Sequence, residues 1–273
     1  AAATDLADVP FLKEYIQRSG GALAGVLTGK ASSVETLFPE GRLDIAEGLY
    51  ELEKDDSVRV IVISGAGRGF CAGGDVTYMG ELVERRDVEA MAALVDAGRH
   101  VVMTIRNSRK PVIASVNGVA AGGGANLALA CDLRIASELA SLGQTFNRIG
   151  LHPDWGGTYF LPRLVGPARA LELIWFADMI DARECERLGL FNKVVPHASL
   201  ADATRAWART LASKPSLAIA MAKRAVYDSP DRTLPQMLDY ELDAQLRCFE
   251  SGDASEGIRA FSEKRAARFG AAR

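Results

Sequence analysis

What the chain has little of narrows its identity first. No stretch reaches the roughly 18 consecutive apolar residues of a membrane-spanning helix, so no bilayer-crossing helix is expected. Cysteine is scarce and scattered: Cys71, Cys131, Cys185 and Cys248 show no C-x-x-C spacing. That argues against a disulfide framework or a zinc site, and predicts reduced packing residues in a cytoplasmic protein. Excess positive charge is missing too. With 32 Lys and Arg against 35 Asp and Glu, the net charge of -3 gives no general basic field for nucleic acid or an anionic membrane. The alanine-rich first ten residues contain Asp5 and Asp8 and no apolar core, a poor secretory signal. Internal repeats and low-complexity segments are absent.

What remains is ordinary globular composition, 48% hydrophobic and 25% charged, over 273 residues. That length buries a full core, as one domain with an appendage or as two domains. The centre of the chain is the stretch 117–132. Ahead of it, Pro111-Val112-Ile113-Ala114-Ser115-Val116 reads as a buried strand. Gly122, Gly123 and Gly124 then allow a close turn, and from Ala125 the run is too uniformly apolar for a surface helix, which predicts one buried on most sides. Its first turn would present free N–H groups and a positive dipole end beside backbone that a ligand can approach, a place to hold negative charge. Equally, three glycines would let a helix pack tightly on a strand.

Taken in order, residues 22–28 suggest an early strand. Residues 42–54 suggest an amphipathic helix with Leu43, Ala46, Leu49, Tyr50 and Leu52 inward. Val58-Arg59-Val60-Ile61-Val62-Ile63-Ser64 is the clearest strand and runs into a second glycine-rich loop, 65–75. Residues 87–104 suggest a long helix; 132–136 and 141–143 suggest strands; 147–158 is turn-rich. Pro167 opens a helix to about Ala177, Asp181 caps another over 182–188 that Gly189 stops, and 191–195 returns to strand. After His197 the pattern turns helical over 200–213, 216–228, 234–250 and 255–269. The division expected is an α/β core over 1–197 and a helical region over 198–273. Gly67-x-Gly69-x-x-Ala72 fits the loose dinucleotide pattern, but two more glycines follow where a helix should open, which speaks against a nicotinamide or flavin site.

Several of these motifs occur together: Phe70-Cys71-Ala72-Gly73-Gly74-Asp75, the run from Lys110 through Gly118 to Cys131-Asp132, residues 146–166 and 182–195, and Glu256-Gly257-Ile258-Arg259-Ala260-Phe261. Over roughly residues 42–269 the chain resembles the enoyl-CoA hydratase/isomerase (crotonase) family. The resemblance implies an α/β fold of repeated ββα turns, a C-terminal helical region for trimerisation, and assembly as a homotrimer or a hexamer. It implies an acyl-CoA thioester substrate, with no metal and no cofactor beyond the coenzyme A that the substrate carries. By the same resemblance, the amides of Gly74 and Gly123 would hold the thioester oxygen as an enolate forms, and Ala72, Phe261 and Lys264 would touch coenzyme A. Residues 28–36 depart from the family's usual Asn-Arg-Pro and Asn-Ala groups.

Hydratases of the family carry two glutamates, at positions where this chain has Asn126 and Phe146. One acid stays in the neighbourhood, Asp154 in Pro153-Asp154-Trp155-Gly156-Gly157-Thr158. This arrangement resembles the isomerase branch, the ring-opening epoxyphenylacetyl-CoA isomerases and the Δ3,Δ2-enoyl-CoA isomerases, where one carboxylate takes a proton and returns it. Asn126, Phe146 and Trp155 are expected in the substrate pocket, and Phe146, Trp155 and Tyr159 would make it apolar and raise the pKa of Asp154. Alternative readings are a hydratase with a non-standard acid, an aryl-CoA dehalogenase with Asp154 as nucleophile and His100 nearby, and an RNA-binding relative. Against the last, Arg99, Arg106, Arg109 and Lys110 make no exposed basic row. His152 could line the pocket, and His197 has no role in this reading.

Overall fold

The computed structural model describes residues 44–270. The first elements are helix α1 (Asp44–Lys54), strand β1 (Ile61–Ser64), strand β2 (Gly69–Cys71), and helices α2 (Val76–Arg85) and α3 (Val88–Asn107). Strands β3 (Val112–Val116) and β4 (Val119–Ala121) follow, then helix α4 (Gly123–Ala130) and strands β5 (Leu133–Ser137) and β6 (Ser141–Gly143). A 3₁₀ turn (Thr145–Ile149) leads to helices α5 (Gly157–Val165) and α6 (Pro167–Phe176), strand β7 (Ile180–Asp181), helix α7 (Ala182–Arg187) and strand β8 (Lys193–Val195). Helices α8 (Leu200–Ala212), α9 (Ser216–Asp228), α10 (Leu234–Glu250) and α11 (Gly252–Ser262) complete the described chain. The early strand expected at 22–28 and the inward Leu43 lie outside the described residues.

Through β6 the strands alternate between two four-stranded sheets, and β7 and β8 then add one strand to each. One runs β1-β3-β5-β8, all parallel; the other runs β2-β4-β6-β7, parallel except for the last pair. Each turn lays one strand in the first sheet, the next in the second, then leaves through helix, so the fold is the crotonase-like ββα winding. Burial on both faces explains the continuous apolar run of β3, every residue of which is buried. The eight residues of α4 are likewise all buried, which is why its sequence shows no polar face.

Three expectations change. The last helix, expected over 255–269, runs from Gly252 to Ser262. Tyr50, expected inward on α1, is 55% exposed and lies under the Lys54 ammonium. Residues 65–75 are not a plain loop. After Gly67 the chain enters strand β2 at Gly69, paired parallel with β4, so the glycines open no helix and the dinucleotide reading falls.

The helices after residue 197 are fastened to the sheets by two devices. Leu200, Ala203, Trp207 and Leu211 of α8 pack on Ile113, Ile135 and Val195. On α9, Lys223 Nζ meets Asp132 Oδ2 at 2.8 Å, and the Tyr227 hydroxyl donates to Asp132 Oδ1 at 2.5 Å. Lys223 also donates to the carbonyls of Ile105 and Lys110, and the Val112 amide donates to Asp132. One largely buried carboxylate thus joins β3 to α9. The exposed side of α10 carries Leu238, Leu242, Leu246 and Phe249, an apolar stripe one turn apart.

Removing one partner of a buried ion pair leaves the other charge uncompensated. Lys223→Met is therefore expected to lower unfolding stability by about 3–5 kcal/mol. Tyr227→Phe should cost only about 1–2 kcal/mol, because Lys223 and Val112 still hold Asp132. Equilibrium unfolding of the two variants checks the order.

Candidate active site

The site assembles where the two glycine-rich segments meet. Gly73 has φ of +95°, and a Cβ there would stand 3.1 Å from Ala121 O and 3.4 Å from Gly123 N, closer than a side chain tolerates in that conformation. The Gly73–Gly74 backbone therefore abuts the first turn of α4. As the first residue of that helix, Gly123 has an amide with no intrahelical acceptor. Among the described residues neither the Gly74 nor the Gly123 amide is used in a turn, loop or cap hydrogen bond. The segments that carry the two expected donors thus adjoin at the positive end of a buried helix, and neither Gly74 nor Gly123 lines the cavity beside Asp154.

Asp154 arrives from the segment between the 3₁₀ turn and α5, and its backbone is held from two sides. Its carbonyl accepts from Asn126 Nδ2 at 2.8 Å and from the Gly157 amide at 2.9 Å. Asn126 is 0% exposed, and its Oδ1 accepts from Gln144 Nε2 at 2.7 Å. Asn126 was expected as a pocket residue; instead its amide is consumed in this link, because a side chain with one acceptor and one donor group can bridge two buried partners.

The next residue, Trp155, has φ of +47°, a left-handed backbone that a bulky side chain adopts only under constraint. Its indole is 7% exposed and lies over the α4 N-terminus, with Cε3 3.4 Å from where a Gly123 Cβ would stand. On the other side a Cβ on Gly98 would overlap the indole, so α3 needs a glycine at this level. Trp155 is wedged between α3 and α4 and fixes how far Asp154 projects.

Asp154 lines a cavity of about 810 Å³ whose walls include Val95, Val102, Arg106, Trp155, Tyr159 and Tyr227. Its Oδ1 is buried with no hydrogen-bond partner among the described residues. Burial pushes the carboxyl up from the ordinary 3.8 to about 6, against smaller opposing effects of a hydrogen bond from its own amide and the His152 ring. Tyr159 and His152 line the same cavity. Phe146 is buried beside the Gly122 turn instead, its ring about 3.8 Å from where a Gly122 Cβ would stand. His100, half exposed on α3, pairs with Asp96 and does not line the cavity, which removes support for the dehalogenase arrangement. Phe261 is 87% exposed at the end of α11, and neither it nor Lys264 lines the cavity.

With that geometry in place, comparison with known proteins is direct. The family model described as enoyl-CoA hydratase/isomerase matches residues 30–272. The chain belongs to the enoyl-CoA hydratase/isomerase family. It is 36% identical over 255 residues to the 1,2-epoxyphenylacetyl-CoA isomerase of Escherichia coli, covering 90% of this chain and 95% of that protein. It is 37% identical over 250 residues to the crotonyl-CoA hydratase of Syntrophomonas wolfei, covering 90% and 94%. The crystal structure of an enoyl-CoA hydratase from Polaromonas superposes with a TM-score of 0.81 at 34% identity, over 85% of this chain and 90% of that one. Both isomerase and hydratase names occur among relatives of equal similarity, so the choice between them rests on the side chains at the site.

The sequence points to neither Arg106 nor Tyr227 as a residue of the site. In this family member they stack in the cavity wall, with the Arg106 guanidinium carbon 3.0 Å from the Tyr227 ring centre. A single sequence gives no sign that α3 and α9 meet there.

The raised carboxyl also makes a stability prediction. The folded-state pKa of Asp154, about 6, lies above its unfolded value, so the native state binds more protons across that interval. The contribution of Asp154 to stability should fall as pH rises from about 4 to about 6, by up to about 2–3 kcal/mol. Asp154→Asn is expected to remove that slope and to be the more stable protein at neutral pH. Unfolding curves of the two proteins across this range decide it; parallel pH profiles would contradict it.

Proposed function

We propose that this enzyme is an acyl-CoA isomerase in which Asp154 carries a proton between two carbons of the acyl group, while the amides of Gly74 and Gly123 hold the thioester oxygen. The observation that carries the reading is one acid at Asp154 with no carboxylate at either hydratase position. Asp154 has a buried oxygen without a partner, while the two positions at which hydratases resemble one another in bearing glutamates hold Asn126, committed to the Asp154 carbonyl, and the buried Phe146.

The chemistry follows from those groups. A 3-enoyl thioester has an acidic C–H at C2, and the Asp154 carboxylate removes that proton. The electron pair passes through the conjugated system onto the thioester oxygen, where two fixed amide dipoles stabilise it without reorganising. The protonated Asp154 then delivers the same proton to C4, and a 2-enoyl thioester results. One acid suffices because it ends as it began. Opening of an epoxide ring on the acyl group would use the same enolate. The walls of Val95, Val102 and Phe160 support this reading, since they offer no polar group to position a water beside the acyl carbons. Coenzyme A enters only as part of the substrate, with Ala72, Phe261 and Lys264 as its proposed contacts, the last two through a neighbouring subunit. The apolar stripe on α10 supports assembly into trimers.

A second reading, hydration of a 2-enoyl thioester, has the crotonyl-CoA hydratase relative in its favour. Product analysis with paired 3-enoyl and 2-enoyl substrates separates the two. Asp154→Asn is expected to lower the isomerisation rate by about 10²- to 10⁴-fold while acyl-CoA binding is largely retained. In the unmodified enzyme kcat/KM should rise with pH through about 6, as the base ionises, and then level off. An Asp154→Asn variant with full isomerase activity would defeat the assignment.

A further inference from the structure

Gln144 stands where strand β6 gives way to the 3₁₀ turn, and its place is fixed through the main chain. Gly143 pairs with Ala121 of β4, and the Gly143 carbonyl accepts from the Gly122 amide at 2.9 Å. The residue occupies the cap position of the turn, yet its side chain makes no cap bond there. It is 1% exposed and reaches α4 instead, where Nε2 donates to Asn126 Oδ1 at 2.7 Å. Its other end, Oε1, is buried with no hydrogen-bond partner among the described residues. An apolar side chain of that length would leave Asn126 Oδ1 without a donor but would remove the orphan at Oε1. One unpaired acceptor then stands against another, and stability alone gives little reason for an amide at 144.

What the amide supplies is a direction. The Asp154 carbonyl can only accept, so Asn126 turns Nδ2 toward it, at 2.8 Å, and Oδ1 toward Gln144. Oδ1 in turn requires a donor, which Gln144 Nε2 provides. An acceptor standing in its place would draw the Asn126 amide round, and two oxygens would then face each other at the Asp154 carbonyl. Room for the amide comes from Gly157, where a Cβ would stand 2.5 Å from Asn126 Nδ2. Residues far apart in sequence thus form one polarised chain of hydrogen bonds, from the second sheet to the segment that carries the acid.

We propose that Gln144 is a positioning residue, which through Asn126 holds the Asp154 main chain, and with it the carboxyl, at the place from which it meets the acyl carbons. The proposal rests on the reading of Asp154 as the acid of the site. It does not depend on which reaction that acid serves, because the chain from Gln144 acts in the free enzyme. A misplacement of about 1 Å at a reacting group costs on the order of 10²-fold in rate, so a relay that sets this distance is felt in turnover more than in binding.

The Asp154 carboxyl reports on the relay without turnover, through a ¹³C NMR titration of enzyme labelled at aspartate and glutamate. In the unmodified enzyme its pKa should lie at about 6; in Gln144→Met the loosened segment admits water to Oδ1, and the value should fall toward 3.8. The charged and ionisable side chains that share the cavity, Arg99, Arg106, His152, Arg224, Asp228 and Asp231, make no hydrogen bond to Gln144 or Asn126 among the described residues, so they are common to both proteins. On whichever of the 3-enoyl and 2-enoyl thioesters reacts, Gln144→Met should lower kcat about 10- to 100-fold with KM nearly unchanged. Because Gln144 acts through Asn126, the double variant with Asn126→Leu should be no slower than Asn126→Leu alone. Gln144→Glu keeps the size of the side chain and makes the donor depend on a proton: neutral, the new carboxyl donates to Asn126; ionised, it only accepts. Its rate relative to the unmodified enzyme should drop about 10-fold or more as that carboxyl ionises, an event visible in the same titration. An Asp154 that still titrates near 6 in Gln144→Met overturns the proposal. So do losses that add in the double variant, or a Gln144→Glu relative rate that stays constant while the new carboxyl ionises. Hydration in place of isomerisation, with the relay outcomes intact, would sink the isomerase and leave Gln144 its role.

Discussion

Asn126 and the main chain of Asp154 share one hydrogen bond, and the arrangement of the site depends on it. An unpaired amide inside a helix buried on every face would cost on the order of 1–3 kcal/mol, so Asn126 must find partners. It finds Gln144 on one side and the Asp154 carbonyl on the other. The same helix supplies the Gly123 amide from its first turn, so acid and amide are referenced to one rigid element. No element between them has to stay fixed on its own account. Trp155 completes the clamp by filling the space between α3 and α4, and its strained backbone is tolerable because packing on both sides over-determines it.

Holding a carboxyl in that place works against folding. Burial raises the pKa of Asp154 because the charged form loses solvent that no protein group replaces at Oδ1. The core offsets this elsewhere: two apolar clusters and the Asp132 centre, where one carboxylate has three donors. The contrast between the two acids is instructive. Asp132 is saturated and joins elements, whereas Asp154 is left wanting a proton. Both sit near the ends of conspicuous motifs, yet only the hydrogen-bond inventory of the folded chain tells them apart.

Much of this was legible beforehand, for identifiable reasons. The run at β3 and the uniformly apolar α4 announce themselves because complete burial leaves no polar residue to interrupt them. Asp181 was readable as a cap because its carboxylate receives the Glu184 amide, a purely local bond. The three-residue strands β2 and β4 were not, since short strands inside glycine-rich segments have no periodicity to detect. Tyr50 misled because its position on α1 is helical but its ring prefers the Lys54 ammonium to the core. The glycine donors and Asp154 came from resemblance to a family. The second role of Asn126 and the Arg106–Tyr227 stack required the fold, for they join residues whose separation in sequence is arbitrary.

The identity of residue 126 then becomes a matter of hydrogen-bond logic. A glutamate there, as the hydratase arrangement has it, would be an acceptor when ionised and could not donate to the Asp154 carbonyl. Two acceptors would face one another in a dry interior, and the segment carrying Asp154 and Trp155 would lose its tie to α4. A second carboxylate so near would also push one of the two acids toward its neutral form, since like charges in low dielectric do not ionise together. Under the proposed mechanism the loss of the acid at 126 and the presence of one at 154 are therefore a single choice. The amide at 126 is what allows a lone carboxylate at 154 to be held still enough to take a proton and give the same one back.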